Sequence, residues 1–256
     1  MDDHHHSHRD HHEAQRLERM RQLGDQSPAI KAMREARLEH MRTHHQGRNT
    51  PRQEEIIAAA LELLNDSGLS ALSLREIAKR LNIRAPALYW YFKSKEDLVD
   101  YMAEAILRNE FGDLQPRGED EAWQVWLRLQ MIRLRRAMLT YTDGGRVVAG
   151  AHMYPATTLS VLFEQTLVSL QSSGLDLETA YHITMTATRY TIGYVIEEQA
   201  SPTPEEAAGE HVRAMIAPFP LMARVVTELA RSSQDEDADF AVGLDYIIKG
   251  STAASS

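Results

Sequence analysis

Residues 73–95 read SLREIAKRLNIRAPALYWYFKSK, two short amphipathic segments parted at Asn82-Ile83, and this stretch limits the fold more than any other. In the first segment Leu74, Ile77, Ala78 and Leu81 recur at helical spacing, which predicts one buried stripe with Arg75, Glu76, Lys79 and Arg80 on the wet side. Ser73 suits an N-cap, and Glu76 three residues on completes a capping box. Asn82 tolerates the left-handed conformation of a tight turn, and Pro86 fits the first turn of a helix, where its missing N–H is no loss. A second helix is therefore predicted to begin near Ala85. The two together have the pattern of a helix-turn-helix.

A helix that enters a DNA major groove presents its first residues to base edges and cannot carry much negative charge. From Arg75 through Lys95 six cations face one acid, Glu76, in a chain whose formal charge is −9. The local excess runs against the background, and a helix dipole would add positive potential at Ala85–Ala87.

APALYWYFKSKEDL resembles the recognition-helix signature of the tetracycline-repressor family, and the similarity extends upstream through IIAAALELLNDSGLSALSLREIAKRL. RRAMLTYTDGGRVVAG, TIGYVIEEQ and FAVGLDYIIKG are similar to later helices of the tetracycline repressors, so the resemblance covers about Arg52 to Gly250. It implies an all-α homodimer that binds a double-stranded, palindromic operator through a helix-turn-helix head and a small-molecule effector through a larger helical-bundle body. By the same resemblance Ser73, Arg75, Arg84, Ala85, Pro86, Ala87, Tyr89, Trp90, Tyr91 and Lys95 face DNA, with Arg75 the base-reading candidate. The family's glutamine base-reader is replaced by Ala85, which implies a different operator.

The chain organises accordingly. Residues 1–49 hold nine of the twelve histidines and few large apolar residues, so they read as a flexible His/Arg-rich extension. Residues 50–97 read as the head, 98–250 as the ligand-binding and dimerisation body, and 251–256 as a tail. A first firm helix is expected after Thr50-Pro51, with Gly68 as its stop, followed beyond the helix-turn-helix by a connecting helix from Lys95 to Leu107. Further helical patterns lie at Glu121–Thr140, Pro155–Ser173, Asp176–Gln199, Glu205–Arg213, Leu221–Ser232 and Asp237–Lys249, with Asp143-Gly144-Gly145 read as a loop. No period-2 pattern of useful length appears. There is no cysteine, no apolar run approaching a membrane span and no signal peptide, so a cytoplasmic protein without membrane contact is expected.

The helix Asp176–Gln199 has two apolar sides and is expected to sit centrally, with the small residues Ala180, Ala187 and Gly193 allowing close approach at a dimer interface. The effector pocket is expected to be lined by Phe111, Trp126, Gln130, Leu134, Tyr190 and Tyr194, which suits a flat, largely apolar, drug-like or natural-product ligand. The resemblance places the drug-gripping histidine on Phe111, or on Glu110 if the register slips, and the metal-binding histidine on Val148. Glu197 matches the carboxylate that reaches the magnesium-bound drug in the neighbouring subunit. Magnesium needs oxygen or imidazole ligands and valine has none, so no metal cofactor is expected, with His152 nearby as the one stand-in.

Two other readings stand beside this one. The N-terminal histidines His4, His5, His6, His8, His11 and His12 suit nickel, copper or zinc and would make a metal-responsive regulator. A helical enzyme would use Glu197, Glu198 and His182 as acid–base groups, but no phosphate loop, nucleophile elbow or metal motif accompanies them. The stretch from His44 to Arg52, with Arg48 and Arg52 and no acid, suits a basic arm lying along phosphates or in a minor groove.

Overall fold

The computed structural model describes residues 51–152, 156–201, 214–232 and 236–253. The N-terminal histidines, Arg48 and the expected helix Glu205–Arg213 lie outside the described residues. Among those described, all regular structure is helical: α1 (Pro51–Ala71), α2 (Leu74–Arg80), a 3-10 helix (Ala85–Trp90), α3 (Lys95–Phe111), α4 (Trp123–Leu139), α5 (Gly144–Gly150), α6 (Thr157–Ser172), α7 (Leu177–Ala200), α8 (Pro220–Ser232) and α9 (Glu236–Ala253).

The head is closed by Ile56, Ala60 and Leu64 of α1, Leu74 and Ile77 of α2, and Leu88 and Phe92. Gly68 interrupts α1 with φ 73° and ψ 172°, a conformation open in practice only to glycine, and one last turn follows to Ala71. Ser73 caps α2, its Oγ accepting from Glu76 N at 3.2 Å, while the Glu76 side chain turns to Lys79 instead of closing the box. Asn82 is left-handed, φ 52°.

α3 ties head to body. Its N-terminus is capped by Ser94 Oγ, which accepts from Asp97 N at 3.1 Å. The helix runs a turn beyond Leu107 to Phe111, because the buried series Met102, Ala103, Ile106 and Leu107 continues onto that ring. It packs on α1 in the head and on α4, α5 and α6 in the body, so a tilt of α3 moves one against the other.

In the body α7 packs against α4, α5, α6 and α9, the central position its two apolar sides require. Two expectations are corrected here. Ala180 and Ala187 are fully buried within the single chain, where the hydroxyls of Thr184 and Thr191 bond their carbonyls at 2.8 Å, so they serve internal packing rather than an interface. Asp143-Gly144-Gly145 does not form an open loop: Asp143 takes the left-handed conformation, φ 55°, and Gly144 starts the short helix α5. A Cβ on Gly144 would overlap the Met138 carbonyl, so the close approach of α4 to α5 requires glycine there. α8 shows Leu221, Met222 and Val225 to solvent.

Candidate functional site

The element expected to read DNA is tighter than an α-helix. Ala85–Trp90 is a 3-10 turn with bonds from Ala87 N to Arg84 O and from Tyr91 N to Leu88 O, both 2.9 Å. At three residues per turn, side chains three apart eclipse. Ala85, Leu88 and Tyr91 therefore form the inner edge, so Ala85 and Tyr91, expected to face DNA, pack against the core instead. Pro86 with Tyr89 and Ala87 with Trp90 form two outer edges, and Tyr89 and Trp90 are 56% and 79% exposed. Phe92 anchors the turn, fully buried and edge-on to Tyr101 at 5.4 Å.

The cations around this turn fall into two sets. Arg75, Arg84 and Lys93 are exposed and have no ion-pair partner among the described residues. Others are engaged within the head. Arg80 bonds Asp66 at 2.7 Å and Glu62 at 3.2 Å, which raises its pKa. Arg52 pairs with Glu55 at 2.8 Å, and Lys95 Nζ donates to Leu69 O at 2.9 Å, closing the end of α1. Arg75 and Arg84 are thus unpaired in the head, while Lys95 and Arg52 have a partner each.

In the body Phe111, Trp126, Gln130, Leu134 and Val148 are all buried, on α3, α4 and α5. Arg133, one turn from Gln130, lies over the Phe111 ring at 4.8 Å and bonds Glu110 Oε1 and Asp113 Oδ1, each at 3.1 Å. It staples the end of α3 to α4. The sequence does not set Arg133 apart from Arg128, Arg135 and Arg136 on the same helix.

Tyr190 and Tyr194 face the last helix. Tyr190 stacks on Phe240 at 5.4 Å and donates to its carbonyl at 3.0 Å, and Tyr194 donates to Glu236 Oε2 at 3.1 Å. Beneath them Arg135, 5% exposed, makes two bonds to Glu198, at 2.9 and 2.7 Å, and a third to Asp237. Burial alone would lower its pKa, but hydrogen bonds to both carboxylates outweigh this and raise it. Glu198 is thus held by Arg135, while Glu197 beside it is exposed. His182 is exposed on the same helix, and at 1.5 Å rise it stands about 22 Å from Glu197. The three cannot act on one substrate atom.

Val148 is 2% exposed and offers no ligand atom. His152 is tethered to Asp100, which leaves its Nε2 as a single ligand atom: its backbone N donates to Asp100 Oδ1 at 2.8 Å and its Nδ1 lies 3.3 Å from both carboxylate oxygens. Among the described residues no group of three His, Cys, Asp or Glu side chains is placed to hold a metal ion. The magnesium that the resemblance implies does not fit the side chains at these positions.

α5 is tied at both ends to neighbouring elements. At its start Asp143 Oδ2 accepts from Leu69 N at 2.8 Å, and Thr142 N donates to Asn65 Oδ1 at 2.9 Å, joining the α4–α5 corner to the end of α1 in the head. Past its end, Asp100 of α3 holds His152. One turn along α3, Glu104 accepts from Thr158 N at 2.8 Å and Thr158 Oγ1 at 2.9 Å, capping α6.

Comparison with known proteins agrees with this architecture. The model of bacterial regulatory proteins of the tetR family matches residues 56–102, and the tetracyclin repressor-like C-terminal domain matches residues 115–254, more than half the chain. This chain belongs to the tetracycline-repressor family. It is 38% identical over 162 residues to the class C tetracycline repressor of Escherichia coli, covering 63% of this chain and 73% of that one. A possible TetR-family regulator from Streptomyces coelicolor superposes with a TM-score of 0.69 at 30% identity, over 79% of this chain and 99% of that one. A tetracycline repressor variant from Acinetobacter baumannii, solved with minocycline, superposes at 0.60 with 32% identity, over 78% of this chain and 96% of that one. The chain is accordingly a DNA-binding, ligand-responsive transcriptional regulator of a family that acts as dimers. No helix among the described residues is long and apolar enough to cross a membrane.

Proposed function

We propose that this regulator is a cytoplasmic homodimeric repressor, released from a palindromic operator by a small, largely apolar drug-like or natural-product effector without magnesium. One observation carries the reading: Phe111, Leu134 and Val148, at the family's effector positions, are buried and apolar, and Gln130 among them supplies an amide rather than a metal ligand. Such a lining suits a flat ligand with few polar groups. Release follows if the effector prefers a conformation in which the two recognition turns no longer match successive major grooves. α3 supports this as the lever, because it packs on the head at one end and ends at Phe111 at the other.

The DNA side follows the same reading. Arg75 and Arg84 read bases or phosphates beside Tyr89 and Trp90, and the arm from residue 44 to Arg52 adds phosphate or minor-groove contacts through Arg48. The chain works by binding, not by catalysis.

The test is a screen of polycyclic compounds by thermal shift, since a ligand that prefers the native state raises Tm. Hits are then tested in operator release with wild type, Phe111→Ala and Gln130→Ala. Both variants should lose ligand response while retaining ligand-free operator binding. A hit that releases both variants as it does wild type would place the effector elsewhere.

A further inference from the structure

α6 buries several polar side chains, among them Thr158, Gln165 and Ser169. Thr158, Gln165 and Ser172 recur every seven residues along it, with Ser169 one turn after Gln165, so the four share a face. Both ends of that face are fixed. Thr158 Oγ1 donates to Glu104 of α3 at 2.9 Å, and Ser172 Oγ accepts from Arg117 Nη2 at 3.0 Å. The face therefore looks toward α3 and the connection between α3 and α4. Gln165 and Ser169, 6% and 3% exposed, are buried between those two anchor points.

Two polar atoms in this region are buried without a hydrogen-bond partner: Arg117 Nε and Ser169 Oγ. Ser172 links the two residues: its Oγ accepts from Arg117 Nη2 and donates to the Ser169 backbone carbonyl at 2.9 Å. The remaining Arg117 bonds go to the carbonyls of Gly118, at 3.2 Å, and Glu121. Its charge thus meets no carboxylate in these contacts. An unmet buried donor is costly, more so when charged, so the unpaired guanidinium N–H and the unpaired hydroxyl call for an acceptor from outside the chain. In sequence Arg117 lies between Phe111, which ends α3, and Trp123, which starts α4, and its bond to Glu121 O fixes the start of the helix that carries Trp126 and Gln130.

The geometry points to a second, polar anchor in the effector site: Arg117 with Ser169 and Ser172, backed by Gln165, binds the carboxylate of an otherwise apolar aromatic effector. This rests on the proposed effector reading and narrows it to ligands with an acidic edge. The guanidinium supplies the charge, Nε–H and the Ser169 hydroxyl the donors, and Phe111 and Trp126 the flat surfaces for the ring.

The experiment uses full-length protein and three probes: anthraquinone-2-carboxylate, its carboxamide and the unsubstituted ring, titrated by tryptophan fluorescence and followed by operator release. Wild type should bind the acid at least about tenfold more tightly than the amide, the range expected of a charge-assisted bond. Arg117→Met should abolish that preference, with an unchanged circular-dichroism spectrum showing that the variant is folded; Arg117→Lys should restore part of it, and Ser169→Ala should narrow it. Equal binding of acid and amide to wild type, as expected if only a water bridges the two atoms, would overturn the anchor, and so would a preference that survives Arg117→Met. In either case operator release by the neutral probes would leave the proposed function standing. Failure of all three probes to bind would overturn the anchor and the aromatic-effector reading together.

Discussion

Asp143 is where the body grips the head, and removing its carboxylate tests whether that grip transmits anything. Its Oδ2 accepts from Leu69 N at 2.8 Å, a part-buried bond between residues 74 apart in sequence. A hydrogen bond to a charged group contributes about 1.5–3 kcal/mol. Asp143 is also left-handed, φ 55°, so alanine would add strain of about 1–2 kcal/mol and confuse the result. Glycine takes that conformation freely, and asparagine tolerates it while keeping a neutral acceptor. Asp143→Gly should therefore lower the stability of the head by about 2 kcal/mol and Asp143→Asn by about half of that, read by urea denaturation. In an operator-release titration the glycine variant should bind effector with unchanged affinity but release less DNA at saturation, because effector binding no longer pulls on the end of α1. A glycine variant that unfolds and releases like wild type would refute both the bond's strength and its role.

Other outcomes follow from the same contacts. Arg75→Ala should cost about 1–3 kcal/mol of discrimination between operator and scrambled DNA, whereas Lys95→Ala, whose Nζ serves Leu69 O, should lower head stability as well as DNA affinity; competition binding and thermal melts separate the two. Gly243→Ala should destabilise by about 1–3 kcal/mol, since its Cβ would run into the Tyr190 ring, with Cζ at 2.6 Å, and Tyr190→Phe should recover part of the loss. Burial raises the pKa of both Tyr190 and Tyr194, Glu236 adding to the second, so the neutral phenols are favoured in the fold; their contribution is fully present below about pH 10 and is lost as pH rises above it. Tyr194→Phe should flatten that alkaline decline in melts taken from pH 9 to 11, and a decline as steep as wild type's would contradict it.

Much of the head was legible because local signals agreed. The Ser73 cap, the left-handed Asn82 and the stripe Leu74–Ile77–Ala78 act within a few residues, and each is in place. The 3-10 geometry was not legible, since it depends on how Leu88 and Phe92 seat in the core. In the body the helices were visible, but the groups that join them were not. Arg135 meets Glu198 and Asp237, 63 and 102 residues away, and Asp100 and Glu104 meet residues more than fifty positions on. Periodicity reports which face is wet or dry and says nothing about such pairs. For the same reason Tyr190 and Tyr194 read as pocket aromatics on one helix, whereas Phe240 and Gly243 on another decide which way they face.

The account stands most directly on an operator-release titration of the full-length dimer, with tetracycline and with polycyclic aromatic compounds, each with magnesium and with excess chelator. A flat apolar compound should release the operator at the same concentration in both conditions, because Val148 offers no metal ligand and no group of three His, Cys, Asp or Glu side chains among the described residues is placed to hold an ion. Release by tetracycline alone, abolished by the chelator, would contradict the account and return His152 to the metal.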